Sequence, residues 1–177
     1  MIILEDSIEV KASPEQVFDW LAQRMMDKES YRAWHPEHVD IRWIKGEPMN
    51  KGSVVEAEEY LHDILHKLVF RITKVDRPSL IEYRPLFPLS IISTGNRFMI
   101  ESSGEGMCTF TAWGKIRFPL WLFNNMHKAH PAKLAASKRH MKEEGENLKQ
   151  AVEQLHTHAI STQVPSGIQP TDPSVQR

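Results

Sequence analysis

Apolar and polar positions alternate over residues 2–10, which predicts a β-strand. Ser13-Pro14-Glu15-Gln16 follows, supplying an N-cap, a proline at the first helical position and a capping-box glutamine. A helix therefore begins there. Its apolar residues Val17, Phe18, Leu21 and Met25 recur at helical spacing, and the pattern dissolves by about Ser30. From Val39 to Phe118, β-rich runs are punctuated by Gly46, Pro48, Gly52, Pro78, Gly95, Gly104 and Gly106 at hairpin spacing, which predicts five or six antiparallel strands. Ala132 to His156 has no proline and no glycine except Gly145, and Leu134, Met141, Glu144, Leu148, Val152 and Leu155 line one face of a long helix. Residues 158–177 are rich in Ser, Thr, Gln and Pro, the composition of a disordered tail behind one domain spanning 1–157. No internal repeat is visible.

The order strand, helix, meander of strands, long terminal helix predicts an α+β domain with the last helix laid against one face of an antiparallel sheet. A sheet that curves around a helix without filling its own interior leaves a concavity, and such clefts are where small ligands bind.

Composition narrows the partners. The 177 residues carry a net charge of −1, with acidic and basic residues interspersed, so the basic footprint of a nucleic-acid binder is missing. A single cysteine, Cys108, builds no internal disulfide framework and reads as a buried, inert thiol. Met1 leads straight into Ile-Ile-Leu-Glu-Asp without the charged and apolar regions of an export signal. No apolar run approaches the roughly 20 residues that span a bilayer. The expectation is a cytoplasmic protein with no membrane partner. The apolar patch from Phe118 to Met126 reads as a lid over the pocket, with a homodimer contact as the alternative.

Three polar anomalies interrupt this pattern. Glu144 sits on the apolar stripe of the long helix, and His140, four residues earlier, shares its face. A buried carboxylate costs several kcal/mol unless an arginine, a hydrogen-bond network or a metal ion offsets it; the ordinary alternative is a surface His/Glu pair. In the run Gly52 to Leu61, period two places Val55, Ala57, Glu59 and Leu61 on one face, so Glu59 should look into the cavity unless a bulge turns Glu58 inward instead. In Trp34-His35-Pro36-Glu37-His38, Pro36 breaks any helix and puts both histidines on a loop at the cavity mouth. Two imidazoles and two carboxylates converging from loop, strand and helix would suit Zn²⁺, with Mn²⁺ or Fe²⁺ as alternatives. Such an ion polarises a carbonyl or lowers the pKa of bound water toward about 7. Trp34, Phe70, Phe98 and Trp113 are candidate aromatic walls for a pocket, as is Phe110. His62, His66, His127 and His130 read as surface residues.

The opening strand with Ser13-Pro14-Glu15-Gln16-Val17-Phe18, the glycine-marked meander and the terminal helix resemble the START-like superfamily, which includes polyketide cyclases and plant pathogenesis-related ligand binders. The resemblance spans residues 2–156 and implies a helix-grip fold. More narrowly, Tyr31-Arg32-Ala33-Trp34-His35-Pro36-Glu37-His38, the acidic strand ending at Glu59, and His140-x-x-x-Glu144 are similar to the 2,4-diacetylphloroglucinol hydrolase family, which uses zinc held by two histidines and two glutamates to cleave a carbon–carbon bond. That resemblance implies His35, Glu59, His140 and Glu144 as metal ligands, with His38 assisting proton transfer or orienting the substrate. The expected function is metal-dependent hydrolysis of a small acylated aromatic or polyketide-like compound. The alternatives are a binding or transport module for a small hydrophobic ligand, and a metal-free cyclase or dehydratase using His38 and Glu59 as acid and base.

Overall fold

The computed structural model describes residues 1–61, 63–117 and 130–162. Strand β1 (Ile2–Val10) is followed by helices α1 (Pro14–Arg24) and α2 (Lys28–Trp34), then by β2 (His38–Lys45), β3 (Val54–Leu61), β4 (Ile64–Asp76), β5 (Leu80–Pro85), β6 (Ser93–Gly104) and β7 (Met107–Ile116), and finally by helix α3 (His130–Thr162). The capping box expected at Ser13 forms: its hydroxyl accepts from the Gln16 N–H, and Gln16 Oε1 accepts from the Ser13 N–H at 2.8 Å. The buried face of α1 carries Val17, Phe18, Trp20 and Leu21.

The seven strands form one antiparallel sheet in the order β1-β7-β6-β5-β4-β3-β2. The chain leaves the sheet at one edge and re-enters at the other, and α1 with α2 make that crossing. The sheet curves and α3 packs against it, giving the helix-grip α+β architecture. Leu148 and Val152 of α3 join the core with Ile81, Ile100, Cys108 and Phe110.

Three expectations need correction. The segment from Lys28 to Trp34 is a second helix, not part of a loop: Asp27 caps it by accepting from the Ser30 N–H at 2.9 Å, a signal that the fading apolar pattern hid. Leu155 is 60 % exposed although it continues the stripe of α3, because the helix has run past the strands that cover Leu148 and Val152. The helix itself runs from His130 to Thr162, longer at both ends than the Ala132 to His156 read from its pattern. The Phe118 to Met126 patch and tail residues 163–177 lie outside the described residues. Among the described residues, no helix is long and apolar enough to cross a membrane.

Candidate functional site

Two hydrogen bonds dock the end of α2 onto α3. The Trp34 indole N–H donates to the carbonyl of Glu144 at 3.1 Å, and the Asn147 side-chain amide donates to the carbonyl of Trp34 at 3.1 Å. Pro36 disfavours helix at the preceding residue, and His35 is accordingly extended at φ −146, ψ 140. The turn closes with the His38 N–H donating to the His35 carbonyl at 3.0 Å, and His38 becomes the first residue of β2. There it pairs in register with Glu59 of β3, which pairs in turn with His66 of β4. Directly opposed residues share a face, so His38, Glu59 and His66 form a row across three strands.

The structure brings His35, His38, His140, Glu59 and Glu144 together. Ring nitrogens of the three histidines lie within 4.8 Å of one another. His38 Nε2 is 3.2 Å from Glu144 Oε1, and His140 Nε2 is 3.7 Å from the same oxygen and 3.9 Å from Glu59 Oε2. The Tyr31 hydroxyl donates to Glu59 Oε1, and its ring stacks on His38 at 4.0 Å between centroids.

Hydrogen bonding fixes which nitrogen of each ring carries a proton. His38 Nδ1 lies 3.1 Å from the Tyr31 carbonyl and His140 Nδ1 lies 2.7 Å from Glu37 Oε2; both acceptors require N–H at Nδ1. His35 is the reverse: its Nδ1 accepts the Glu37 backbone N–H at 3.1 Å, so the neutral ring is protonated at Nε2, which lies 3.3 Å from Glu143 Oε2.

Burial and charge act against each other here. Burial works to lower the His38 pKa, but the hydrogen bond to Glu144 and the charges of Glu59 and Glu144 outweigh it and hold the imidazole above its ordinary range. Burial pushes the Glu144 carboxyl up, yet the His38 hydrogen bond and the three nearby imidazoles hold it below the usual carboxylate range. His35 goes the other way, lowered by burial and by the two neighbouring histidines. The Tyr31 and Tyr83 hydroxyls are pushed well up, first by burial and then by the carboxylates.

A cavity of about 200 Å³ lies beside these groups, between sheet and α3. Glu59, Glu144, His140 and Tyr31 line it, as do Trp34, Phe70 and Phe98 of the expected aromatic walls. His35 and His38 do not: both are 2 % exposed and stand behind the lining residues, with His35 bordering a groove on the other side of α2. His38 therefore does not face the cavity as a group that orients the substrate directly would. Trp113 also needs correction. Along β7, Cys108, Phe110, Ala112 and Gly114 are buried, so Trp113 projects from the opposite face, where the Arg97 guanidinium lies 4.0 Å over its ring. Phe110 is in the core against Phe98, and His66, expected at the surface, is half-buried. His62, His127 and the side chain of His130 lie outside the described residues.

Glu37 and Glu143 were not singled out from sequence. Glu143 lies one step off the apolar stripe of α3, and Glu37 sits between two histidines in a turn, where no periodicity marks its direction.

A family model described as polyketide cyclase/dehydrase and lipid transport matches residues 1–153. The chain belongs to that family. Solved structures similar to this family member include an aromatase/cyclase, ZhuI, from Streptomyces (TM-score 0.69, 15% identity, covering 89% of this chain and 97% of that one). A START superfamily protein from Mycobacterium smegmatis matches with TM-score 0.63 at 16% identity, covering 86% and 98% of the two chains. Norcoclaurine synthase from Thalictrum flavum, solved with a transition-state analogue, matches with TM-score 0.60 at 12% identity, covering 88% and 96%. No curated protein matches the sequence significantly. The comparisons support the START-like fold and do not extend to the narrower resemblance to the diacetylphloroglucinol hydrolases.

Proposed function

We propose that this chain binds a small aromatic or polyketide-like molecule in the cavity and acts on it by acid–base chemistry, as a metal-free cyclase or dehydratase does. One observation carries the reading: His140, Glu59 and Glu144 are ionisable groups on the wall of an otherwise largely apolar cavity. His140 Nε2 lies beside Glu59 and Glu144 of the cavity wall, and its lone pair can take a proton from a carbon beside a carbonyl and return it to a departing hydroxyl, which leaves as water. Glu59 and Glu144 stabilise the imidazolium formed in between. In this reading His140 takes over the acid–base work that the sequence reading gave to His38 and Glu59, with His38 acting through Glu144. The family description and the likeness to an aromatase/cyclase support this reading.

The test uses 2,4-dihydroxyacetophenone as a probe with exhaustively chelated protein. Its addition should shift NMR signals of Phe70, Phe98 and His140, and the wild type should speed deuterium exchange of its acetyl protons while His140→Ala does not. Absence of binding at those residues would sink the reading; binding without exchange would leave a carrier of small hydrophobic ligands.

A divalent cation is the second reading, favoured by the tautomers. Nε2 of His140 offers a lone pair beside Glu59 and Glu144, and Nε2 of His38 would offer a second once an ion displaced the proton it shares with Glu144, a donor set that fits Zn²⁺. His35 fits less well, because its Nε2–H is directed at Glu143. His38, His140, Glu59 and Glu144 would then hold the ion, His38 taking the position that the hydrolase resemblance assigned to His35. A bound ion would supply Lewis acidity toward a carbonyl or a water of lowered pKa. Metal analysis of purified protein and of His140→Ala separates the two readings, and a chelator should lower the melting temperature only if an ion is held.

A further inference from the structure

Glu37 ties together three parts of the site. Its Oε2 lies 2.7 Å from His140 Nδ1, its Oε1 accepts from Arg139 Nη2 at 3.3 Å, and its backbone N–H donates to His35 Nδ1 at 3.1 Å. Its carbonyl accepts from the Tyr60 N–H at 2.8 Å, which anchors the turn to the residue after Glu59. The carboxylate is thus held from both ends, by Arg139 outside and by the His140 ring inside. A carboxylate accepts and cannot donate, so the neutral His140 ring in contact with it must carry its proton on Nδ1. The other nitrogen then has a lone pair, and it is the one that lies 3.7 Å from Glu144 and 3.9 Å from Glu59 at the cavity wall. Without Glu37 the ring is free to adopt the Nε2–H form that solvated imidazole prefers, and a proton would occupy the position from which a base must act.

We propose that Glu37 is the positioning residue of this site: its carboxylate fixes the Nδ1–H tautomer of His140 and so presents the unprotonated Nε2 to the cavity. The inference deepens the acid–base reading and rests on it for its consequence, but the tautomer can be measured without any substrate. The same carboxylate, held by Arg139 from the other side, stabilises the imidazolium once His140 has taken a proton. A charge-assisted bond to a carboxylate is strong enough for an excess of about tenfold or more of one tautomer over the other.

The experiment is a long-range proton–nitrogen correlation spectrum of protein with ¹⁵N-labelled histidine, recorded near pH about 8.5, roughly two units above the ordinary imidazole pKa. His140→Gln assigns the signals. The wild type should show His140 protonated at Nδ1 and bare at Nε2, and Glu37→Leu should shift the balance at least tenfold toward Nε2–H while the protein remains folded. A wild-type ring protonated at Nε2, or an unchanged pattern in Glu37→Leu, would overturn the proposal. If Glu37→Leu fails to fold, the wild-type spectrum decides alone. Deuterium exchange of 2,4-dihydroxyacetophenone is then measured on the same samples. A tautomer switch with no exchange in either protein leaves the positioning role intact and removes the acid–base reading, so the two failures are told apart.

Discussion

His38 Nε2 lies 3.2 Å from Glu144 Oε1, an ion pair closed between residues 106 positions apart in the chain. The His38 side chain has no exposed surface and Glu144 has 14%, so the pair is shielded from solvent and salt. It joins the start of β2 to the middle of α3.

The pair makes stability depend on pH with a defined window. His38 has its pKa raised above 6.5, so its contribution is complete below 6.5 and is lost as pH rises through the folded value. Glu144 has its pKa lowered below 4.5, so its contribution is present above 4.5 and is lost as pH falls through the folded value. The coupling should therefore be greatest between 4.5 and 6.5. A double-mutant cycle with His38→Gln and Glu144→Gln, by urea denaturation at acid, intermediate and alkaline pH, measures it. His38→Gln alone should cost about 3–5 kcal/mol inside the window, the usual loss when one partner of a buried pair is removed. A coupling that does not vary with pH would contradict the assignment.

Tyr31→Phe isolates the bond to Glu59. The phenylalanine ring keeps its stack on His38, so only the hydroxyl is lost. The expected cost is about 1–3 kcal/mol, because Glu59 loses the donor to its carboxylate. Equal stability of the two proteins in denaturant would mean that water replaces the hydroxyl.

Cys108 should be inert in the folded protein. It is buried, and burial, with a smaller contribution from Glu15, pushes the thiol up to about 11. Reaction with a thiol reagent at neutral pH should occur at the rate of unfolding and accelerate in urea. Rapid labelling without denaturant would show that β7 opens locally.

Gly145→Ala should stabilise the fold by about 0.5–1 kcal/mol, the conformational cost of glycine inside a helix. A Cβ there would meet Ile8 Cγ2 at 3.5 Å and Asp6 Oδ2 at 3.7 Å, ordinary contact distances where α3 crosses β1. A lower melting temperature would mean that helix and strand approach more closely than this.

The capping box at Ser13, the meander and the long helix were legible because each rests on residues near one another in sequence. Period two was enough to turn Glu59 inward, and the helical repeat put His140 and Glu144 on one face. The same parity, applied to β7, separates Trp113 from Phe110, so the misplacement of Trp113 was avoidable. The helix α2 was hidden because its seven residues show too little apolar repeat to compete with the Pro36 signal next to it.

From the amino-acid order alone followed the α+β class, the inward face of each long element and the residue types available for chemistry, since backbone periodicity acts over a few residues. The tertiary structure alone decided that Glu37 reaches His140, that His38 stands behind Glu144 and not in the cavity, and which nitrogen of His35 and of His140 is bare. Those relations depend on strand register and on how α2 docks against α3, where partners about a hundred residues apart must agree to within a hydrogen bond's length, and no local pattern carries that information.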